Sequence, residues 1–102
     1  MLNVRRAALD ALIRIIEDGA YANLALKEAP SSVEQKEVPF LYALVNETVA
    51  RASYLDYVFA QFYKRQKRAV RNLLRMAGTE LLYLHTPAHA AIDEAVTLCR
   101  TI

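Results

Sequence analysis

Cys99 is the only cysteine in the sequence. No intramolecular disulfide can form, which excludes a cross-linked, secreted scaffold. Glycine occurs twice and proline three times. That is too little punctuation for a turn-rich β fold, and it suits long helices. With only Gly19 and Gly78, no glycine-rich phosphate loop can be built, so P-loop and dinucleotide-binding chemistry are removed. No uncharged stretch reaches the roughly 18 residues of a membrane-spanning candidate. No signal-peptide pattern follows Met1. The resulting expectation is a cytoplasmic protein with no membrane partner.

What is present is a chain of 102 residues, 55% apolar. That length suits one domain over residues 1–102, with ample apolar material for a core. Good helix formers dominate. Residues 3–17 predict an amphipathic helix capped by Asn3, with Val4, Ala8, Ala11, Leu12 and Ile15 inward and Arg6, Asp10, Arg14 and Glu17 outward. Gly19 suits the left-handed position past its end. A short second helix is expected over 21–29, broken at Pro30. A third covers about 34–51, with its regular part starting at Glu37 or Val38 so that Pro39 falls in the first turn. Ser53 is placed as the cap of a fourth helix running to Tyr63. A fifth, 67–84, turns Val70, Leu73, Leu74, Ala77, Leu81 and Leu84 to the core, with Gly78 marking close helix packing. Thr86 and Pro87 separate it from a sixth at 88–100. Six helices with short connections predict an all-α bundle.

The charge is unevenly spread. Residues 1–50 carry five basic and seven acidic side chains, whereas residues 51–102 carry eight and four. Most of the excess sits in residues 64–75, where six of twelve residues are basic and none acidic. On a helix, Lys64, Arg68, Arg71 and Arg75 share one stripe, with Arg65 and Lys67 beside it. Such a stripe repels itself unless an anion answers it. Phe62 and Tyr63 precede it, and aromatic rings stack on unpaired bases. Taken alone, the cluster fits a solvated helix face as well as an RNA site. Arg5 and Arg6 form a second basic pair, for which ordinary surface roles weigh more on local grounds.

Catalytic and metal chemistry find no residues. His85 and His89 straddle Thr86 and Pro87 without a metal-binding pattern. Asp93 and Glu94 are adjacent and diverge on a helix. Cys99 is expected to be a small buried apolar group. No catalytic residue, metal or cofactor is assigned.

Four stretches, in order, carry a family resemblance: RRAAL at 5–9, GAYANLAL at 19–26, LVNETV at 44–49 and PAHAAIDEAV at 87–96 after LLYL at 81–84. Together they resemble the NusB-like helical domain, most closely its version at the N-terminus of the Sun/Fmu (RsmB-type) ribosomal RNA cytosine-5 methyltransferases. The resemblance implies two small packed helix bundles and leaves open whether the second is complete at Ile102. Stand-alone members bind RNA in transcription antitermination, together with a small ribosomal protein. In the methyltransferases the domain is expected to help engage ribosomal RNA. The resemblance makes the basic first helix an RNA-contacting region, which brings Arg5 and Arg6 forward. Where the family usually has Asn, this chain has Asp93. The methyltransferase domain, with its S-adenosylmethionine pocket and its catalytic cysteine after a proline, has no counterpart here; Cys99 follows Leu98. The expected function is RNA binding, of ribosomal RNA or its leader, without catalysis. A methyltransferase domain or a ribosomal protein is the expected protein partner. The alternative is a protein-interaction or scaffold domain without RNA affinity.

Overall fold

The computed structural model describes residues 3–62, 64 and 66–102. Its order is α1 (Val4–Leu12), a π turn (Ile13–Glu17), α2 (Ala22–Glu28), 3-10 turns at Ala29–Ser32 and Gln35–Glu37, α3 (Val38–Ala60), α4 (Arg68–Leu82) and α5 (Ala88–Cys99). No strand occurs among the described residues.

Local chemistry accounts for most of these boundaries. The Asn3 side chain accepts from the Arg5 N–H at 2.8 Å and caps α1. Gly19 takes φ 76 after the π turn, a conformation open to glycine. Pro39 sits in the first turn of α3, where its missing N–H costs nothing. Pro30 does not stop the second helix outright, since the chain tightens into a 3-10 turn through Ser32. After α4, His85 adopts φ 55, and the turn closes through Thr86 N–H to the Glu80 carbonyl at 3.0 Å.

Several expectations fail here. Ser53 starts no helix, because α3 runs unbroken from Val38 to Ala60; a serine with helix-compatible neighbours need not act as a cap. The chain therefore has five α-helices among its described residues, not six. The proposed end at Tyr63 lies outside the described residues. Cys99 is exposed rather than buried. The inner face of α5 consists of Ala91 and Leu98, and Cys99 falls one helical step round from Leu98.

The core gathers Val4, Leu9 and Leu12 of α1, Leu41, Leu44 and Val45 of α3, Leu73 and Met76 of α4, and Leu98 of α5 into one cluster. These side chains are almost fully removed from water, the main favourable term in folding. α4 is rotated from its expected orientation. Asn72, Arg75, Thr79 and Glu80 are buried, whereas Leu81 is exposed. The buried threonines satisfy themselves, Thr48 Oγ1 on the Leu44 carbonyl at 2.7 Å and Thr79 Oγ1 on the Arg75 carbonyl at 2.9 Å. The other three polar residues need partners from elsewhere.

Gly78 marks the α3–α4 crossing. A Cβ there would lie 3.0 Å from Leu55 Cδ2 and 3.1 Å from Phe59 Cζ. Gly78→Ala should change stability little in urea unfolding, because a helix-propensity gain of about 1 kcal/mol opposes that crowding. Gly78→Val adds methyl groups that must displace Leu55 and Phe59, and should cost about 1–3 kcal/mol.

Candidate nucleic-acid interface

The basic stripe of residues 64–75 is answered by carboxylates of the protein itself. Wider winding in the π turn takes Glu17 off the Arg6–Asp10–Arg14 line, so Glu17 faces α4 instead of solvent, its side chain only 12% exposed. There it accepts from Arg71 through both Nε and Nη2, from Asn72 Nδ2 at 3.0 Å and from Arg75 Nη1 at 3.2 Å. Arg75 also holds Asp56 of α3 in a two-pronged contact, Nε to Oδ1 at 2.7 Å and Nη2 to Oδ2 at 2.8 Å. Asn72 bridges the two, receiving Arg75 Nη1 at 2.8 Å and donating to the Arg68 carbonyl at 2.8 Å. The remaining donor set of Arg71 reaches the Gln66 carbonyl at 3.0 Å. No described buried side-chain polar atom is left without a partner.

The hydrogen bond from Arg71, followed by those of Asn72 and Arg75, outweighs burial and lowers the Glu17 pKa to about 2. Arg75 is raised, first by its hydrogen bond to Asp56. Arg71 is raised, first by Glu17.

A second polar tie closes the other end of the same helix pair. Arg5 Nε and Nη2 donate to Glu80 at 2.9 and 2.6 Å. Thr86 Oγ1 adds a bond to the same carboxylate at 3.1 Å. The Arg5 guanidinium lies 5.2 Å from the Phe40 ring centroid and is raised, chiefly by the Glu80 hydrogen bond. Because Arg5 meets Glu80 while Glu17 meets Arg71, α1 and α4 run antiparallel.

The candidate residues therefore separate into two groups. Arg5, Arg71 and Arg75 are engaged with carboxylates, and the Arg75 side chain is only 8% exposed. Lys64 and Lys67 are exposed, with no carboxylate partner among the described residues. Arg68 pairs with Asp18 at 3.0 Å but stays 56% exposed, so that pair contributes little to stability. Arg6 is half-exposed and reaches Asp10 at 3.3 Å and Thr101 at 3.1 Å. Arg65 lies outside the described residues, as does Tyr63; Phe62 is exposed. Arg6 and Arg68 are not neighbours. Arg68 pairs with Asp18, twelve residues from Arg6, roughly 18 Å along a helix at 1.5 Å per residue.

α4 begins with Lys67 as its N-cap, without a side-chain cap, and Arg68 follows. Cations at this end oppose the helix dipole. Uncapped N–H groups and nearby cations form a setting that receives anions. No group of His, Cys, Asp or Glu able to hold a metal occurs among the described residues, and no described helix is long and apolar enough to cross a membrane.

Comparison with known proteins matches residues 2–102 to the NusB family. The chain belongs to the NusB family. It is 35% identical over 104 residues to a probable ribosomal RNA small subunit methyltransferase B of Bacillus subtilis, covering 96% of this chain and 23% of that protein. The methyltransferase B of Erwinia tasmaniensis is 28% identical, with 94% and 23% covered, and that of Proteus mirabilis 26% identical, with 92% and 23% covered. The chain thus spans under a quarter of the length of these relatives. It corresponds to their NusB domain and is not itself the catalytic part. No solved structure gives a significant match.

Glu17 makes stability depend on pH and on its arginines. A carboxylate whose folded pKa is lowered stabilises the fold above its unfolded value, 4.5, and loses that contribution as pH falls toward about 2. Urea midpoints should therefore fall between pH 5 and pH 2, and Glu17→Gln should flatten that fall; an unchanged profile would remove Glu17 from this role. Arg75→Met should cost about 3 kcal/mol, as expected when one partner of a buried pair is removed. Lys64→Met and Lys67→Met should stay within about 0.5 kcal/mol.

Proposed function

We propose that this chain is an RNA-binding domain that engages ribosomal RNA through the uncapped start of α4. Lys64, Lys67 and Arg68 carry the contact, and Arg6 supplies a separate, weaker one. The observation that carries this reading is the pair of lysines with no carboxylate partner among the described residues, at a helix end that favours anions. Membership of the NusB family supports it. Arg5, Arg71 and Arg75 are assigned to structure, because releasing Arg5 or Arg75 for phosphate would leave Glu80 or Asp56 without its cation and releasing Arg71 would strip Glu17 of its two-pronged partner.

The names of the relatives favour small-subunit ribosomal RNA over an antitermination leader. In this reading the domain delivers RNA to a methyltransferase domain, in the cytoplasm; a ribosomal protein is the partner if the antitermination role applies instead.

A second reading, a protein-interaction domain without RNA affinity, has one observation in its favour. Ile92 and Val96 on α5, with Leu81 and Leu82 of α4, form exposed apolar surface.

Fluorescence anisotropy of a labelled single-stranded fragment of small-subunit ribosomal RNA, titrated at several salt concentrations, tests the proposal. Affinity should fall with salt. The triple variant Lys64→Ala/Lys67→Ala/Arg68→Ala should reduce the log–log slope by about 2, at roughly 0.7 for each phosphate no longer neutralised. An unchanged slope removes the α4 end from the interface. Absence of binding at low salt, with self-association in light scattering, transfers the assignment to the second reading.

A further inference from the structure

A cleft of about 210 Å³ opens where the end of α3 meets the start of α4. Phe59, Ala60 and Leu74 form its apolar wall, and Asp56, Lys64 and Arg71 its polar rim. It is smaller than the pockets that hold drug-sized ligands, and suits one flat heterocycle. We propose that this cleft is a subsite for a single unstacked nucleotide, selective for a base that carries an exocyclic amine. The proposal rests on the RNA-binding reading and specifies a contact that the phosphate-binding lysines cannot make, since phosphate contacts carry no sequence information.

Each part of a nucleotide meets a matching group. The apolar wall receives the base, as single-stranded RNA is recognised through splayed bases held on aromatic and apolar side chains. The ammonium of Lys64, without a carboxylate partner among the described residues, takes the 5′-phosphate. Arg71 is committed to Glu17 and the Gln66 carbonyl and shapes the rim. Selectivity comes from Asp56. Each of its carboxylate oxygens accepts one bond from Arg75, which leaves further lone-pair capacity on both. The side chain remains 47% exposed. An exocyclic amine of cytosine, adenine or guanine donates to that carboxylate. Uracil presents its O4 acceptor where cytosine presents the amine, which leaves the carboxylate only the neighbouring N3–H to accept from.

The test uses 5′-CMP and 5′-UMP, which match in size and charge and differ at the 4-position and in whether N3 carries a proton. Titrations are followed by NMR at the Leu74 methyls and the Gln66 side-chain amide. CMP should shift these signals, and UMP should bind about tenfold more weakly, as expected for losing one hydrogen bond to a charged acceptor. Lys64→Gln should weaken both nucleotides alike. Ala60→Leu, at an exposed helix end, should fill the cleft and abolish both, with the thermal melt unchanged. Equal affinity for CMP and UMP overturns the proposed selectivity. No shift at Leu74 at millimolar CMP, while ribosomal RNA still binds in a salt-dependent way, overturns the subsite and leaves the RNA-binding reading standing. CMP binding in the cleft without salt-dependent RNA binding does the reverse.

Discussion

Two arginines and an asparagine of one helix converge on Glu17, and the arrangement of the other helices follows from that contact. A guanidinium cannot be buried alone; it needs a carboxylate at hydrogen-bond distance. Arg75 is buried on α4 and takes both Glu17 and Asp56. α1 with its π turn, α3 and α4 must therefore meet in one register for the charges to be satisfied. Apolar burial drives the association of these helices, but apolar contacts tolerate a shift of one residue far better than a paired charge does. The Arg5–Glu80–Thr86 contact fixes the opposite end of the same antiparallel pair. With both ends fixed, α1 can neither slide along α4 nor rotate against it without stranding a charge.

That arrangement determines which cations are left for a partner. Charge along residues 64–75 is uniform in sign, yet the protein neutralises the inward half with Glu17 and Asp56, answers Arg68 with an exposed pair to Asp18, and gives Lys64 and Lys67 no carboxylate among the described residues. A phosphate backbone approaching this end meets Lys64, Lys67 and Arg68 beside free helix N–H groups, and the cleft behind them opens onto apolar wall. Phosphate attraction and base selection would thus be adjacent, on two helices held together by the buried network. Rigid support of this kind keeps a recognition site in geometry without requiring the ligand to order it.

The chain belongs to the NusB family and is like methyltransferase B proteins over less than a quarter of their length. The exposed apolar stripe of Ile92 and Val96 on α5 is separate from the cationic end of α4 in sequence and in chemistry. The domain therefore presents two kinds of surface, one cationic and one apolar.

The sequence alone determined the helical class, the cap at Asn3, the left-handed Gly19, the placement of Pro39 in the first turn of α3 and the close approach at Gly78. Each depends on a residue and its immediate neighbours, where backbone sterics and hydrogen bonding act within one turn. The resemblance of four ordered stretches identified the family. Tertiary structure decided the rest. Whether Ser53 capped a helix or lay inside one depended on the packing of α3. The buried face of α4 depended on carboxylates 19 to 58 residues away from their arginines. The π turn shifted the side on which Glu17 emerged, and periodicity at 3.6 residues cannot register a turn of different width. For the same reason the basic stripe was visible in the sequence, but its division into structural and available cations was not. A charge is free or paired according to what the fold brings to it, and that is a long-range property of the folded chain.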